Sequence, residues 1–194
     1  MKIIAIRHAQ MDMHWEKQYS SEGFDRACRE YDQCHVLPGT ESGNRIFTDD
    51  RPVYVSSLSR TKETAKLLFG DRDVIVTPLL DEVPLRSFKD TEKKYPLYVW
   101  NIAGRLQWFL GNRRQEETRV QTRERAARLI SMLVKGGEDC IVISHGWFLQ
   151  VLVRELKRAG FEVKRGSVIR IGPLERIAFT EKAPHCGNCM HNCL

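Results

Sequence analysis

The sequence predicts an α/β protein: a three-layer sandwich whose mostly parallel central sheet is covered by helices on both faces. Three observations lead there. Short apolar, β-prone runs alternate with segments of helical periodicity along the chain. Its 194 residues, 42% of them hydrophobic, suit a single domain with a sizeable core. Repeats and low-complexity segments, which would signal a solenoid or an unstructured chain, are absent. Right-handed crossovers are expected between parallel strands.

The elements follow in order. Residues 2–6 form the first strand. A polar excursion from about 9 to 39 comes next, with a short helix near 24–31, and its length marks it as a specificity segment or lid. Thr40-Glu41-Ser42-Gly43 could open a further helix that ends before Asp49-Asp50-Arg51-Pro52. The second strand is 53–55, and Ala65, Leu68 and Phe69 predict a helix over 60–69 stopped by Gly70. A β run at 74–76, a loop over 79–90 and a helix or helix pair over 92–110 come next. The amphipathic stretch 116–134 predicts a long helix that ends at Gly136-Gly137. A buried strand at 140–143, a helix over 147–159 ended by Gly160, and strands at 167–171 and 175–179 complete the order. A domain over 1–180 and a Cys/His-rich tail over 181–194 result.

Thirty-one Lys and Arg against 25 Asp and Glu give a formal charge of +6, which favours anionic ligands in general. The arginines of residues 105–128 lack the interleaved aromatics of a nucleic-acid surface and read as solvated helix faces, so no nucleic acid is expected. The apolar run before Arg7 is too short for a signal peptide or a membrane span. A cytoplasmic protein with no membrane partner and reduced thiols is expected, despite six cysteines.

Chemistry gathers at the ends of three strands. Residues 2–6 run into Arg7-His8, 53–55 are followed by Arg60, and 140–143 run into Ser144-His145-Gly146. In an open α/β sheet these carboxyl ends face one crevice. Two guanidiniums there bind phosphate oxygens through paired donors, and the helix opening after His145 adds a positive end. A neutral imidazole can attack phosphorus, and nearby guanidiniums keep His8 unprotonated. Singly, Arg7 and Arg60 read as surface cations and His145 as a core histidine. Their joint occurrence favours a phosphoryl site.

Ile6-Arg7-His8-Ala9, the stretch from Ser56 through Arg60 to Ala65, and Ser144-His145-Gly146 resemble the three motifs of the histidine phosphatase superfamily, also called phosphoglycerate-mutase-like. The resemblance spans residues 1 to about 180. It implies that His8 becomes a phosphohistidine while Arg7, Arg60, His145 and Gly146 bind the phosphoryl group. The family's acid usually follows the third strand in a Leu-x-Glu setting, which here is Leu80-Asp81-Glu82. Glu82 is therefore the expected acid and Asp81 its competitor. The family's usual Arg-His-Gly is Arg7-His8-Ala9 here. His14 replaces its common asparagine as a phosphate donor or selectivity residue, and Ser57 replaces a frequent proline. The Gly-x-Trp-Glu-Gly pattern of mutases is missing after Glu82.

The resemblance implies a phosphomonoesterase acting on small phosphorylated metabolites, with no cofactor in its chemistry. The alternatives are a cofactor-dependent phosphoglycerate mutase, a phosphohistidine-removing protein phosphatase, and a catalytically weak phosphate-binding regulatory module. Separately, His185, Cys186, Cys189 and Cys193 supply enough soft ligands for one zinc, against a redox-active tail or one without fixed structure. Zinc bound there would be structural or stored, or would make the protein a metal sensor. Trp100 and Trp108 would mark a homodimer interface if their helix is not wholly buried.

Overall fold

The computed structural model describes residues 1–37, 49–163 and 173–181. Its elements are β1 (Lys2–Arg7), β2 (Gln18–Tyr19), α1 (Ser21–Gln33), β3 (Val53–Val55), α2 (Ser59–Phe69), β4 (Ile75–Val76), β5 (Tyr95–Pro96), α3 (Leu97–Leu110), α4 (Arg119–Gly136), β6 (Cys140–Ser144), α5 (Gly146–Arg158), β7 (Phe161–Val163) and β8 (Arg176–Glu181). The main sheet has the order β4-β3-β6-β1-β8-β7. Strands β1, β3, β4 and β6 are parallel neighbours, while β8 pairs antiparallel with both β1 and β7. The predicted α/β sandwich with a mostly parallel sheet is thus observed.

Side-chain alternation along each central strand builds the two faces. Ile3, Ala5, Cys140 and Val142 point into a core completed by Leu129 and Leu133 of α4 and Leu149 and Leu152 of α5. Ile6, Val53, Val55, Ile141 and Ile143 point the other way, onto Ala65, Leu68 and Phe69 of α2. Strand β6 is therefore buried on both faces, which is why its sequence is a continuous apolar run. A third, largely aromatic cluster ties α1 to α3: Phe24 stacks on Trp100, and Phe88 and Tyr95 close around the indole.

Several boundaries differ from the sequence reading for identifiable reasons. Helix α1 is longer than 24–31 because the Ser20 hydroxyl accepts from Gly23 N–H and caps it. Residues 92–110 hold one helix, since Pro96 precedes α3 and left-handed Gly111 ends it. Helix α4 starts at Arg119, where Thr118 and Gln121 form a reciprocal capping box, and left-handed Gly137 closes it as expected. The loop after β4 opens with a 3-10 turn, Pro78–Leu80. Strands β2, β5 and β7, at two or three residues each, are too short to carry a periodic signal. Trp100 and Trp108 are 0% and 3% exposed and pack inside the protein, so neither lies at a surface. The expected helix after Thr40, the strand at 167–171 and the zinc ligands His185, Cys186, Cys189 and Cys193 fall outside the described residues. Among the described residues no helix is long and apolar enough to cross a membrane.

Candidate active site

The parallel alignment of β1, β3 and β6 brings the three motifs to one edge of the sheet. The register sets Arg7 opposite Ser144 and Val55 opposite Ile143. His8 and His145 consequently emerge side by side, with ring centroids 5.1 Å apart. The His8 backbone N–H donates to Ser144 O (2.9 Å), and the Ser144 hydroxyl donates to Leu80 O (2.6 Å), binding all three loops together. Helix α2 joins them through Thr64, which accepts from Ala9 N–H at 3.0 Å and donates to Arg60 O.

His8 is 3% exposed, and its Nδ1 lies 2.7 Å from the Ala9 carbonyl oxygen. A carbonyl only accepts, so Nδ1 carries the proton and Nε2 keeps its lone pair. Burial, then the charge of Arg60, lowers the His8 pKa from 6.5 to about 3. The ring is neutral over the whole physiological range, with Nε2 left as a potential nucleophile.

Arg60 is fully buried. Its Nε donates to His145 Nδ1 (3.0 Å), Nη2 donates to Asp32 Oδ1 (3.1 Å), Nη1 donates to Tyr31 O (3.2 Å), and the guanidinium lies 4.9 Å from the Tyr31 ring centre. An arginine is always a donor, so His145 Nδ1 must accept and its proton sits on Nε2. That proton goes to Ser56 Oγ at 2.8 Å. Ser56 in turn lies 2.9 Å from Thr61 Oγ1, whose own proton goes to Leu58 O. Burial, followed by the charge of Arg60, pushes the His145 pKa well below 6.5. Both ring nitrogens of His145 are thus engaged within the protein, by Arg60 and by Ser56.

Arg7 packs flat against the start of α5: a Cβ placed on Gly146 would stand 3.1 Å from Arg7 Cζ. Only glycine permits this approach without displacing the guanidinium. No side chain of α5 itself caps the helix. Glu82 does so from another loop, with Oε1 accepting from Phe148 N–H and Val83 N–H at 2.9 Å and Oε2 from Trp147 N–H at 3.2 Å. Asp81 is committed to Ser57, whose N–H and hydroxyl occupy its two oxygens at 2.7 and 2.6 Å. Both carboxylates line a cavity of about 690 Å³, together with Tyr31, Asp32, Asn101 and Arg105. His14 is exposed, on the loop leading to Trp15 at the cavity wall.

Residues 3–186 match the family described as histidine phosphatase superfamily (branch 1). The chain belongs to the histidine phosphatase superfamily. No curated protein matches the sequence. Solved structures share the superfamily fold. A phosphoserine phosphatase mutant from Entamoeba histolytica, in complex with phosphoserine, is similar over 92% of this chain and 90% of that one, at 18% identity and a TM-score of 0.57. A protein called mycobacterial hydrolase 1 is similar over 95% and 91%, at 18% identity and a TM-score of 0.59. A mycobacterial glucosyl-3-phosphoglycerate phosphatase is similar over 81% and 79%, at 17% identity and a TM-score of 0.50.

The fold brings Arg7, His8, Arg60, His145 and Gly146 together, with Glu82 at the α5 end of the same crevice. Sequence reasoning gave no role to Ser56, Thr61 and Thr64, although they lie within the second motif. It also missed Tyr31 and Asp32, which reach Arg60 from the irregular excursion, and Arg105 on α3. The hydroxyls carried a signal as polar residues flanking a buried strand end. Asp32 and Arg105 carried none, because their placement depends on how distant helices pack.

Proposed function

We propose that the protein is a phosphomonoesterase that hydrolyses small phosphorylated metabolites through a phosphohistidine at His8. The observation carrying this reading is the state of His8 itself: Nδ1 is tied to the Ala9 carbonyl, protonation is suppressed by burial and Arg60, and Nε2 is available. In the first step Nε2 attacks phosphorus, the N–P bond forms, and the ester P–O bond breaks. Arg7 and Arg60 stabilise the charge on the equatorial oxygens. Glu82 gives a proton to the departing alkoxide. In the second step the Glu82 carboxylate takes a proton from water, the oxygen attacks phosphorus, and the N–P bond breaks to release phosphate and free His8. Asp81, whose two oxygens accept from Ser57, is the competing candidate for the acid.

The test is phosphate release across phosphorylated sugars, glycerates, nucleotides and p-nitrophenyl phosphate, with wild type beside His8→Ala, followed by trapping of labelled protein. Expected are turnover and an acid-labile, base-stable label in wild type only. Transfer of the label to a second glycerate without phosphate release would replace this reading with the mutase. A folded wild type that binds phosphate yet turns nothing over would replace it with the regulatory module.

A further inference from the structure

Helix α3 is apolar on two opposite faces. Its inner ridge is Trp100, Gly104 and Trp108, all buried, with Gly104 packed so closely that an added Cβ would stand 2.7 Å from Leu85 Cδ1. Its outer ridge is Tyr98, Ile102, Leu106 and Leu110, again at four-residue steps, and these side chains are 65%, 66%, 55% and 71% exposed, with Phe109 beside them at 51%. Half of the large apolar side chains that stand exposed among the described residues lie on this one helix. The only charged residue within α3 is Arg105, which turns inward: its Cζ lies 4.7 Å from the Trp147 ring centre and its Nη1 donates to Val83 O. A surface helix ordinarily keeps a polar face toward water, and one that is apolar all round belongs in an interior. Side chains of this class offer about 150–250 Å² each when fully exposed, so the five present on the order of 600 Å². That lies at the upper end for the largest apolar patch of a monomer, about 300–600 Å², and approaches the roughly 800 Å² per partner of a stable interface. The exposed Asn101, Asn112 and Arg113 at its borders supply a polar rim.

We propose that the outer face of α3 is a homodimer interface, formed by two copies of the helix crossing antiparallel about a two-fold axis. The interface lies on the face opposite Trp100 and Trp108. What selects a second copy as the occupant is that the ridge is its own complement. Its four positions are symmetric about residue 104, so an antiparallel copy sets Ile102 against Leu106 and Tyr98 against Leu110, each pair occurring twice. Ridges at four-residue steps on both helices interdigitate at a crossing angle of about −50°, the commonest class of helix packing. The ridge runs for about 18 Å at a rise of ~1.5 Å per residue, long enough for such a crossing. Leu110, the most exposed of the set, then comes to the end of the other α3 where a groove of about 480 Å³ lies beside Tyr98, lined by Pro96, Leu97 and Lys17. An isologous contact of this kind closes on itself and takes both apolar faces out of water together.

The experiment is sedimentation equilibrium of the full chain across the micromolar range, for wild type, Ile102→Asp, Leu106→Lys and an equimolar mixture of the two variants. Wild type is expected at twice the 22.5 kDa mass of one chain. Each single variant sets an unpaired charge against an apolar side chain of its copy and should weaken association at least about 100-fold, leaving a monomer with the wild-type circular dichroism spectrum. The mixture should dimerise again, because the antiparallel register sets the new carboxylate of one chain against the new ammonium of the other. A monomeric wild type overturns the proposal, as does a dimer that persists in both single variants or a mixture that stays monomeric. If wild type is monomeric, co-sedimentation with vesicles of anionic phospholipid would give the face to a membrane, and dimerisation only after removal of residues 182–194 would give it to the chain's own end. Should either variant fail to fold, Leu110→Ser replaces it, with roughly tenfold weaker association expected from the lost apolar burial and an unchanged association overturning.

Discussion

Replacing Ser56 with alanine tests whether the hydrogen-bond chain from Arg60 to Leu58 holds the site together. The Ser56 hydroxyl is completely buried and is the acceptor for His145 Nε2–H (2.8 Å) and Leu58 N–H (3.2 Å). Without it the His145 proton points at a methyl group, in a place no exposed atom reaches. A buried donor left without a partner costs about 1–3 kcal/mol. The Leu58 N–H is only partly buried and water can replace its partner, so about 2 kcal/mol is expected for the whole change. In a chain of this size that lowers Tm by roughly 4–8 °C. The alternative open to His145 is to move its proton to Nδ1, which would set it against Arg60 Nε–H at 3.0 Å. Either way Arg60 loses one of the contacts that orient it, and kcat/KM on p-nitrophenyl phosphate should fall roughly tenfold. Thermal melts and initial rates measure both effects. A double-mutant cycle isolates the hydrogen bond: in a His145→Phe background, Ser56→Ala should cost less than half as much stability. Equal costs in the two backgrounds would refute the relay, as would a Tm within a degree of wild type.

Other outcomes follow from the same geometry. Gly146→Ala puts a Cβ 3.1 Å from Arg7 Cζ, so kcat/KM should drop about tenfold while Tm stays equal or rises, alanine being the better helix former. A Tm loss matching the activity loss would count against a local effect on Arg7. Asp32→Asn removes the carboxylate that, among the described residues, pairs with Arg60. Inorganic phosphate should then inhibit several-fold more tightly while the free protein loses stability, and weaker inhibition would show that Asp32 orients the guanidinium instead of competing for it. For pH, the His8 pKa falls from 6.5 to about 3 on folding, and that of His145 falls as well. Between those values the unfolded chain binds protons that the native site excludes. Stability is therefore full above about pH 6.5 and declines toward pH 3, by about 1.4 kcal/mol per pH unit for each histidine. Urea melts at pH 7, 6 and 5 should show this slope, and His8→Asn should show a shallower one. A slope unchanged in that variant would mean that His8 is not held neutral.

The sequence by itself determined the sheet's central strands and the residues that gather in the candidate site. Residues 2–6, 53–55 and 140–143 are apolar on both faces because helices cover both, and such runs are legible without a structure. Parallel strands in one sheet end on one edge, so Arg7, His8, Arg60 and His145 were bound to meet once those strands were recognised. Helix limits were legible at the glycine stops Gly70 and Gly137, whereas the starts capped by Ser20 and Thr118 went unread. Other features depended on contacts between segments remote in sequence, which no local pattern encodes. The tautomer of His145 is set by Arg60, 85 positions away, and by Ser56, 89 positions away. Glu82 was expected as an acid from a short motif, but its role as the cap of α5 needed the packing of its loop on that helix, 65 and 66 positions on. Asp32 and Arg105 look like ordinary surface charges in the chain. Only the packing of α1 and α3 around the cavity pairs the first with a buried arginine and lays the second over the Trp147 ring, because side-chain charge becomes chemically specific only when tertiary structure removes the water around it.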